Sequence, residues 1–246
     1  MKAERSILVK IAEKRRARGI CGLAALVADN CNRAIRRFFD ARFDRRFKME
    51  TTEETDLDDL AIESLNKRFG VRYEPTPVAT FRRMMSYLPR DLGQFVFIDL
   101  GCGKGRMLAA ATQYGFRRII GVEFSAELCV IAEKNMLAVR SRTGADIRVV
   151  NVDAADFQIP DGDCVIYIYN PFDSPVLNRV ADNIRACQTQ APRRIYVIYY
   201  NAVHGAMLAD RLDFMRLIGE GRWWFDPAAR RAKLFAIFAG EPGIDN

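Results

Sequence analysis

At 246 residues, half of them apolar, the chain is long enough for one α/β domain with an extension and can bury a sizeable core. The net charge of +7 is unevenly held: residues 1–48 carry 14 Lys and Arg against 5 Asp and Glu, the rest 24 against 26, so a charge argument for nucleic-acid binding applies to the N-terminal arm alone. Six cysteines without a C-x-x-C pair and a single histidine, His204, argue against a metal site or a disulfide framework and for reduced thiols in the cytoplasm. No stretch approaches the roughly 18 apolar residues of a membrane span. The apolar run Gly19 to Ala28 ends at Asp29 and lacks a good cleavage pattern, so secretion is not expected, whereas an Arg-rich targeting peptide stays open.

From Ser6 to Phe47 apolar residues recur at helical spacing (Ile7, Ile11, Ile20, Leu23, Leu26, Val27, Ile35, Phe38, Phe39, Phe43) among arginines, which predicts one or two basic amphipathic helices. Two readings stay open: a cap whose apolar stripe lies on the catalytic domain, or an arm that docks on an anionic surface, lipid headgroup or nucleic acid. Glu50 to Glu63 is strongly acidic and reads as a solvated linker, so residues 1–72 form the expected extension and 73–246 the expected catalytic domain. In Tyr73-Glu74-Pro75-Thr76-Pro77, Thr76 is placed to cap a helix that starts at Pro77 and runs to about Leu88.

Strand and helix then alternate, the pattern of a doubly wound, mostly parallel sheet. Apolar runs predict strands at 95–100, 118–123, 147–153, 164–170 and 194–201, with helices at 106–114, 126–140, 175–187 and 206–212 between and after them. The segments 214–225 and 233–239 read as a terminal pair of strands.

The densest signal is Phe95-Val96-Phe97-Ile98-Asp99-Leu100-Gly101-Cys102-Gly103-Lys104-Gly105-Arg106, an apolar strand that ends in an acid and passes through alternate glycines into a helix. Glycine there lets the backbone approach a ligand closely and leaves its N–H groups available. A dinucleotide site would open with glycine in G-x-G-x-x-G; here Asp99 precedes Gly101, and Gly105 comes one residue early. Glu123 closes the second predicted strand and Asp153 the third, so three carboxylates gather at neighbouring strand ends, where open α/β sheets bind ligands. Such a set repels a pyrophosphate and suits a cation bearing a ribose and an adenine: Asp99 for an ammonium, Glu123 for ribose hydroxyls, and Asp153 with the Ala154 N–H for the adenine ring. Lys104 is expected to point to solvent, because the loop lacks the P-loop pattern.

With D-L-G-C-G-K-G, G-V-E and V-D-A in place, residues 73–239 resemble the class I S-adenosylmethionine (SAM) dependent methyltransferases. The resemblance implies a seven-stranded sheet of order 3-2-1-4-5-7-6 with one antiparallel strand, SAM as cofactor, and methyl transfer as the activity. Two further places are similar to the non-SET lysine methyltransferases: Tyr73 and Thr76 match their Tyr-x-x-Thr cofactor loop, and V-I-Y-I-Y-N-P-F matches their fourth motif, with the asparagine at Asn170. Asn170-Pro171-Phe172 also looks like a trimmed N-P-P-Y motif of amino-group methyltransferases. Both comparisons imply a nitrogen acceptor held by the Asn170 side chain and the Pro171 carbonyl, with Phe172 as a channel wall. For Asn170 the competing reading is a turn residue bonded to its own backbone. His204 is read as a loop residue before it is read as a base, and at most one of Trp223 and Trp224 can line an acceptor groove, since neighbours on a strand face opposite ways. RNA or a small metabolite as acceptor, and a SAM-binding module without turnover, remain the alternatives.

Overall fold

The computed structural model describes residues 31, 34, 35, 37–51, 75–169, 174–221 and 235–240. Tyr73, Asn170, Pro171, Phe172, Trp223 and Trp224 lie outside the described residues, as do most of the basic arm and the acidic linker. Residues 37–47 are helical (α1). They are followed by α2 (Val78–Met85), β1 (Val96–Leu100), α3 (Arg106–Ala111), β2 (Arg118–Glu123), α4 (Ala126–Thr143), β3 (Ile147–Asn151), β4 (Cys164–Tyr169), α5 (Ser174–Gln190), β5 (Ile195–Tyr200), α6 (Gly205–Arg211), β6 (Arg216–Gly221) and β7 (Phe235–Gly240).

The strands form a seven-stranded sheet in the order β3-β2-β1-β4-β5-β7-β6. β1 is flanked by β2 and β4 in parallel register, with Asp99 opposite both Gly121 and Tyr167. β7 runs antiparallel to β5 and to β6, between which it lies. This is the topology that the motifs implied.

Central strands carry apolar residues on both faces because helices cover both. Phe97, Val165, Tyr167, Tyr196 and Ile198 face one layer, which contains Phe81 and Met84 of α2, Leu108 of α3 and Met136 of α4. Val96, Ile98, Ile166, Ile168 and Val197 face the other, with Leu177, Val180 and Ile184 of α5 and Leu208 of α6. The alternation along each strand thus splits one sheet between two cores. Phe43 and Phe47 of α1, with Met49 beyond it, belong to the first layer, so the end of the basic segment is packed into the core. Among the described residues no helix is long and apolar enough to cross a membrane.

Two local expectations need correcting. Thr76 does not cap α2: Pro77 occupies the cap position without a side-chain bond, and the Thr76 hydroxyl is paired with the Tyr167 hydroxyl at 2.7 Å. A buried hydroxyl facing a buried phenol gains more from that pairing than from an amide that Asp40, at 3.4 Å from the Val78 N–H, already approaches. The third strand stops at Asn151, short of Asp153, because Asp153 folds the chain into a turn in which its carboxylate accepts the Ala155 N–H at 2.9 Å.

Candidate active site

The parallel register brings the C-terminal ends of β1, β2 and β4 together. Asp99 lies on β1, one residue before the strand end, and is 3% exposed; Glu123, the last residue of β2, is equally buried. Between them runs the loop 101–105, in which Gly101, Gly103 and Gly105 have φ of 84°, 52° and 86°. L side chains rarely adopt that left-handed conformation, so glycine is required at each of these bends.

The amides of Gly101, Cys102, Gly103 and Gly105 are used internally, contrary to the expectation that they would face a ligand. The Gly101 and Cys102 N–H groups both donate to the Val122 carbonyl (2.8 and 3.0 Å), and the Gly105 N–H to the Cys102 carbonyl (2.9 Å). The Gly103 N–H donates to Glu123 Oε2 at 2.9 Å, and the Ser125 N–H to Glu123 Oε1 at 3.0 Å. Each Glu123 oxygen has two lone pairs, so this carboxylate can fix the loop and still accept from a ligand hydroxyl. What the loop offers a ligand is space and negative charge.

The electrostatics agree. Burial raises the Asp99 carboxyl well above the usual carboxylate range, and the neighbouring Glu123 charge raises it further. Glu123 is also raised by burial, against which its backbone hydrogen bonds act. Two buried carboxyls that disfavour each other's ionisation are stabilised by a cation, and a phosphate would add to the repulsion. SAM, which carries an ammonium and a sulfonium and no phosphate, fits this donor set.

The rest of the constellation is brought to the same edge. Tyr167, opposite Asp99 on β4, holds Thr76 beside the site. Asp153 and Ala154 follow β3 and are half-buried. His204 immediately precedes α6, where its N–H lies 3.4 Å from the Tyr199 hydroxyl, so it is built into a loop next to β5.

Lys104 is not at the surface: it is 4% exposed. Its loop is covered by residues 49–51, clamped by Asn135 of α4, whose Nδ2 donates to the Lys104 carbonyl (2.9 Å) and the Glu50 carbonyl (3.3 Å) while its Oδ1 accepts the Glu50 N–H (3.0 Å). One residue past the loop, Arg106 is 2% exposed and turned towards α1. Its Nη1 lies 3.0 Å from Asp40 Oδ2, its Nη2 3.4 Å from Asp44 Oδ2, and its Nε donates to the Thr51 hydroxyl at 2.7 Å. The Thr51 hydroxyl in turn donates to Asp44 Oδ1 at 2.7 Å. The glycine loop is therefore fastened to the end of the N-terminal arm.

Gly121, beneath the loop on β2, was also missed, because a glycine inside an apolar strand carries no signal of its own. A Cβ there would lie 2.6 Å from Leu108 Cδ1 and 2.7 Å from Cys102 Sγ. Gly121→Ala is expected to push the loop off β2, costing about 2 kcal/mol of stability and weakening SAM binding. Denaturant titration and calorimetry check both effects, and a variant with unchanged stability would show that the contact yields freely.

The family model described as "Methyltransferase domain" matches residues 97–189, which span β1 to α5 and hold the glycine loop, Glu123 and Asp153. Over this segment, less than half of its length, the chain carries a methyltransferase domain. A curated relative, the "Type II methyltransferase M.VspI" of Vibrio sp. (strain 343), is 32% identical over 97 residues, which cover 32% of this chain and 23% of that protein. The chain thus spans under a quarter of that relative's length. Among solved structures, StiE O-MT residues 961–1257 superpose with a TM-score of 0.50 at 10% identity, covering 67% of this chain and 74% of that one. A TehB-like SAM-dependent methyltransferase from Corynebacterium glutamicum gives 0.45 at 20% identity, covering 63% and 84%. At 10% identity the likeness to the StiE structure is one of fold alone.

Proposed function

We propose that the whole protein transfers a methyl group from SAM to a nitrogen acceptor, a protein lysine being the favoured class, and that it works in the cytoplasm. The observation that carries this reading is the pairing of β4 with β1. Ile168 is in register with Leu100, so the chain leaves β4 at the edge where Asp99 sits, and the next residues are Asn170-Pro171-Phe172. Tyr169, half-buried at that edge with its ring 4.4 Å from that of the buried Tyr200, offers an aromatic surface suited to an apolar lysine stem.

In this reading Asp99 holds the cofactor's ammonium, directly or through water, Glu123 its ribose hydroxyls, and Asp153 with the Ala154 N–H its adenine. Gly101, Gly103 and Gly105 leave it room, and Tyr73 and Thr76 close over it. The chain's further task is positioning, since methyl transfer is an in-line displacement in which a neutral amine forms the N–C bond as the S–C bond breaks. The Asn170 side-chain oxygen and the Pro171 carbonyl accept hydrogen bonds from the amine, Phe172 walls the channel, and the proton leaves to water. Burial beside a sulfonium lowers the amine's pKa, so no strong base is needed.

Asn170→Ala is expected to reduce turnover about 100-fold while SAM affinity changes less than threefold, because one placed acceptor is lost and the cofactor's carboxylates remain. Transfer of labelled methyl from SAM into lysate fractions, separated as protein, RNA and small molecules, supplies the assay. Undiminished turnover in the variant removes Asn170 from the reaction, and label confined to RNA or small molecules removes the lysine.

A further inference from the structure

The outward side of α1 is used neither by the core nor by the cofactor site. The helix sorts its charges by face. Its acids, Asp40 and Asp44, are buried against Arg106, whereas Arg37, Arg42, Arg45 and Arg46 are exposed. No other acid occurs between residues 31 and 48, so every charge on the outward face is positive. Ile35, Phe38 and Phe39 are 54%, 59% and 61% exposed. Their spacing continues through Arg42 to Arg46 along one stripe, apolar at its start and basic at its end. Phe38 and Phe39 pack edge to face at 5.7 Å, which joins them into one apolar knob. Scattered apolar residues on a surface need no explanation, but an isoleucine and two phenylalanines contiguous with several arginines make an amphipathic surface of the kind that meets a partner.

We propose that this face docks on an anionic lipid bilayer, with Ile35, Phe38 and Phe39 entering the boundary between headgroups and acyl chains and Arg42, Arg45 and Arg46 meeting lipid phosphates. Nucleic acid offers the same phosphodiester charge, and the apolar component decides between them. Ile35 suits acyl chains, and Phe38 and Phe39, packed edge to face on each other, form a knob for them rather than a flat platform, whereas single-stranded nucleic acid is held by open planar rings on which bases stack. The inward turn of Asp40 and Asp44 matters here, because acids on the outward face would be repelled by the bilayer. Docking through this face leaves the opposite side of α1 bound to Arg106, and so presents the methyltransferase domain at a membrane surface.

The test is sedimentation of the full chain with vesicles of phosphatidylcholine alone or mixed with phosphatidylglycerol, at roughly 0.1 M and roughly 0.5 M salt. Partitioning into the anionic vesicles is expected to exceed that into neutral ones about tenfold at the lower salt and to fall at the higher. Phe38→Ser with Phe39→Ser is expected to lose about tenfold in partitioning, and Arg42→Gln with Arg45→Gln and Arg46→Gln to lose the preference for anionic lipid. All these side chains are exposed, so both variants should keep the wild-type unfolding curve and SAM affinity, a readout that separates lost docking from lost folding. The proposal is overturned if the wild type does not sediment with anionic vesicles, if the double phenylalanine variant partitions as the wild type does, or if a uridine oligonucleotide displaces the protein from the vesicles.

Discussion

Asp99→Asn is expected to make the cofactor-free protein more stable and to weaken SAM binding about 100-fold, the loss expected when a charge-assisted contact of about 3 kcal/mol is removed. The two effects share a cause. In the folded chain burial raises the Asp99 carboxyl, and Glu123 raises it further, so the native state holds that proton to a higher pH than the unfolded state does. Stability from this group is fully present below the ordinary carboxylate range and is lost as pH rises through the raised folded value. An amide removes that loss, so the stability gain should be visible at pH 8 and absent in acid. Binding has the opposite dependence: a cationic ligand needs the carboxylate ionised, so SAM affinity should rise with pH in the wild type, with protons released on binding. Calorimetry in two buffers of different ionisation enthalpy measures the release. An asparagine variant that binds SAM as the wild type does would sink the electrostatic account of the site.

Arg106→Met should be the most destabilising single change at the loop, costing about 3–5 kcal/mol, because it strands two buried acids. Burial raises the Asp40 carboxyl even with Arg106 beside it, the guanidinium only partly opposing that rise. Without the guanidinium Asp40 must protonate or draw in water, so the defect should deepen from pH 5 to pH 8. Arg106→Lys should rescue little, since one ammonium cannot satisfy Asp40, Asp44 and the Thr51 hydroxyl in a fixed fork. Changing Asp40 and Asp44 to Asn together with Arg106→Met should restore most of the stability by removing the stranded charge. Urea titration of the single and triple variants decides the matter, and a single variant as stable as the wild type would mean that the network contributes nothing.

The sheet was legible because buried parallel strands are continuous apolar runs bounded by polar turns. Residues 118–123 were read with the ends that the structure has, and Asp99 and Glu123 stood out as acids closing such runs. What escaped were pairings across long stretches of chain. Arg106 reads locally as an ordinary polar residue opening a helix, and nothing near it in sequence reveals that its partners, Thr51, Asp44 and Asp40, lie far back in the chain. Lys104 was misread for the same reason, its cover coming from Glu50 and from Asn135 on α4. Thr76 fits the rule for a helix cap, and only the position of Tyr167 opposite Asp99 explains why its hydroxyl turns elsewhere.

β7 lies between β5 and β6 and is antiparallel to both. During synthesis β6 emerges from the ribosome before β7, its one partner strand among the described residues, and it must wait with its hydrogen-bonding groups in water until β7 follows. Assembly can run from β1 outward through β5 as translation proceeds, whereas this edge of the sheet is completed by an insertion that cannot begin until the later strand has been made.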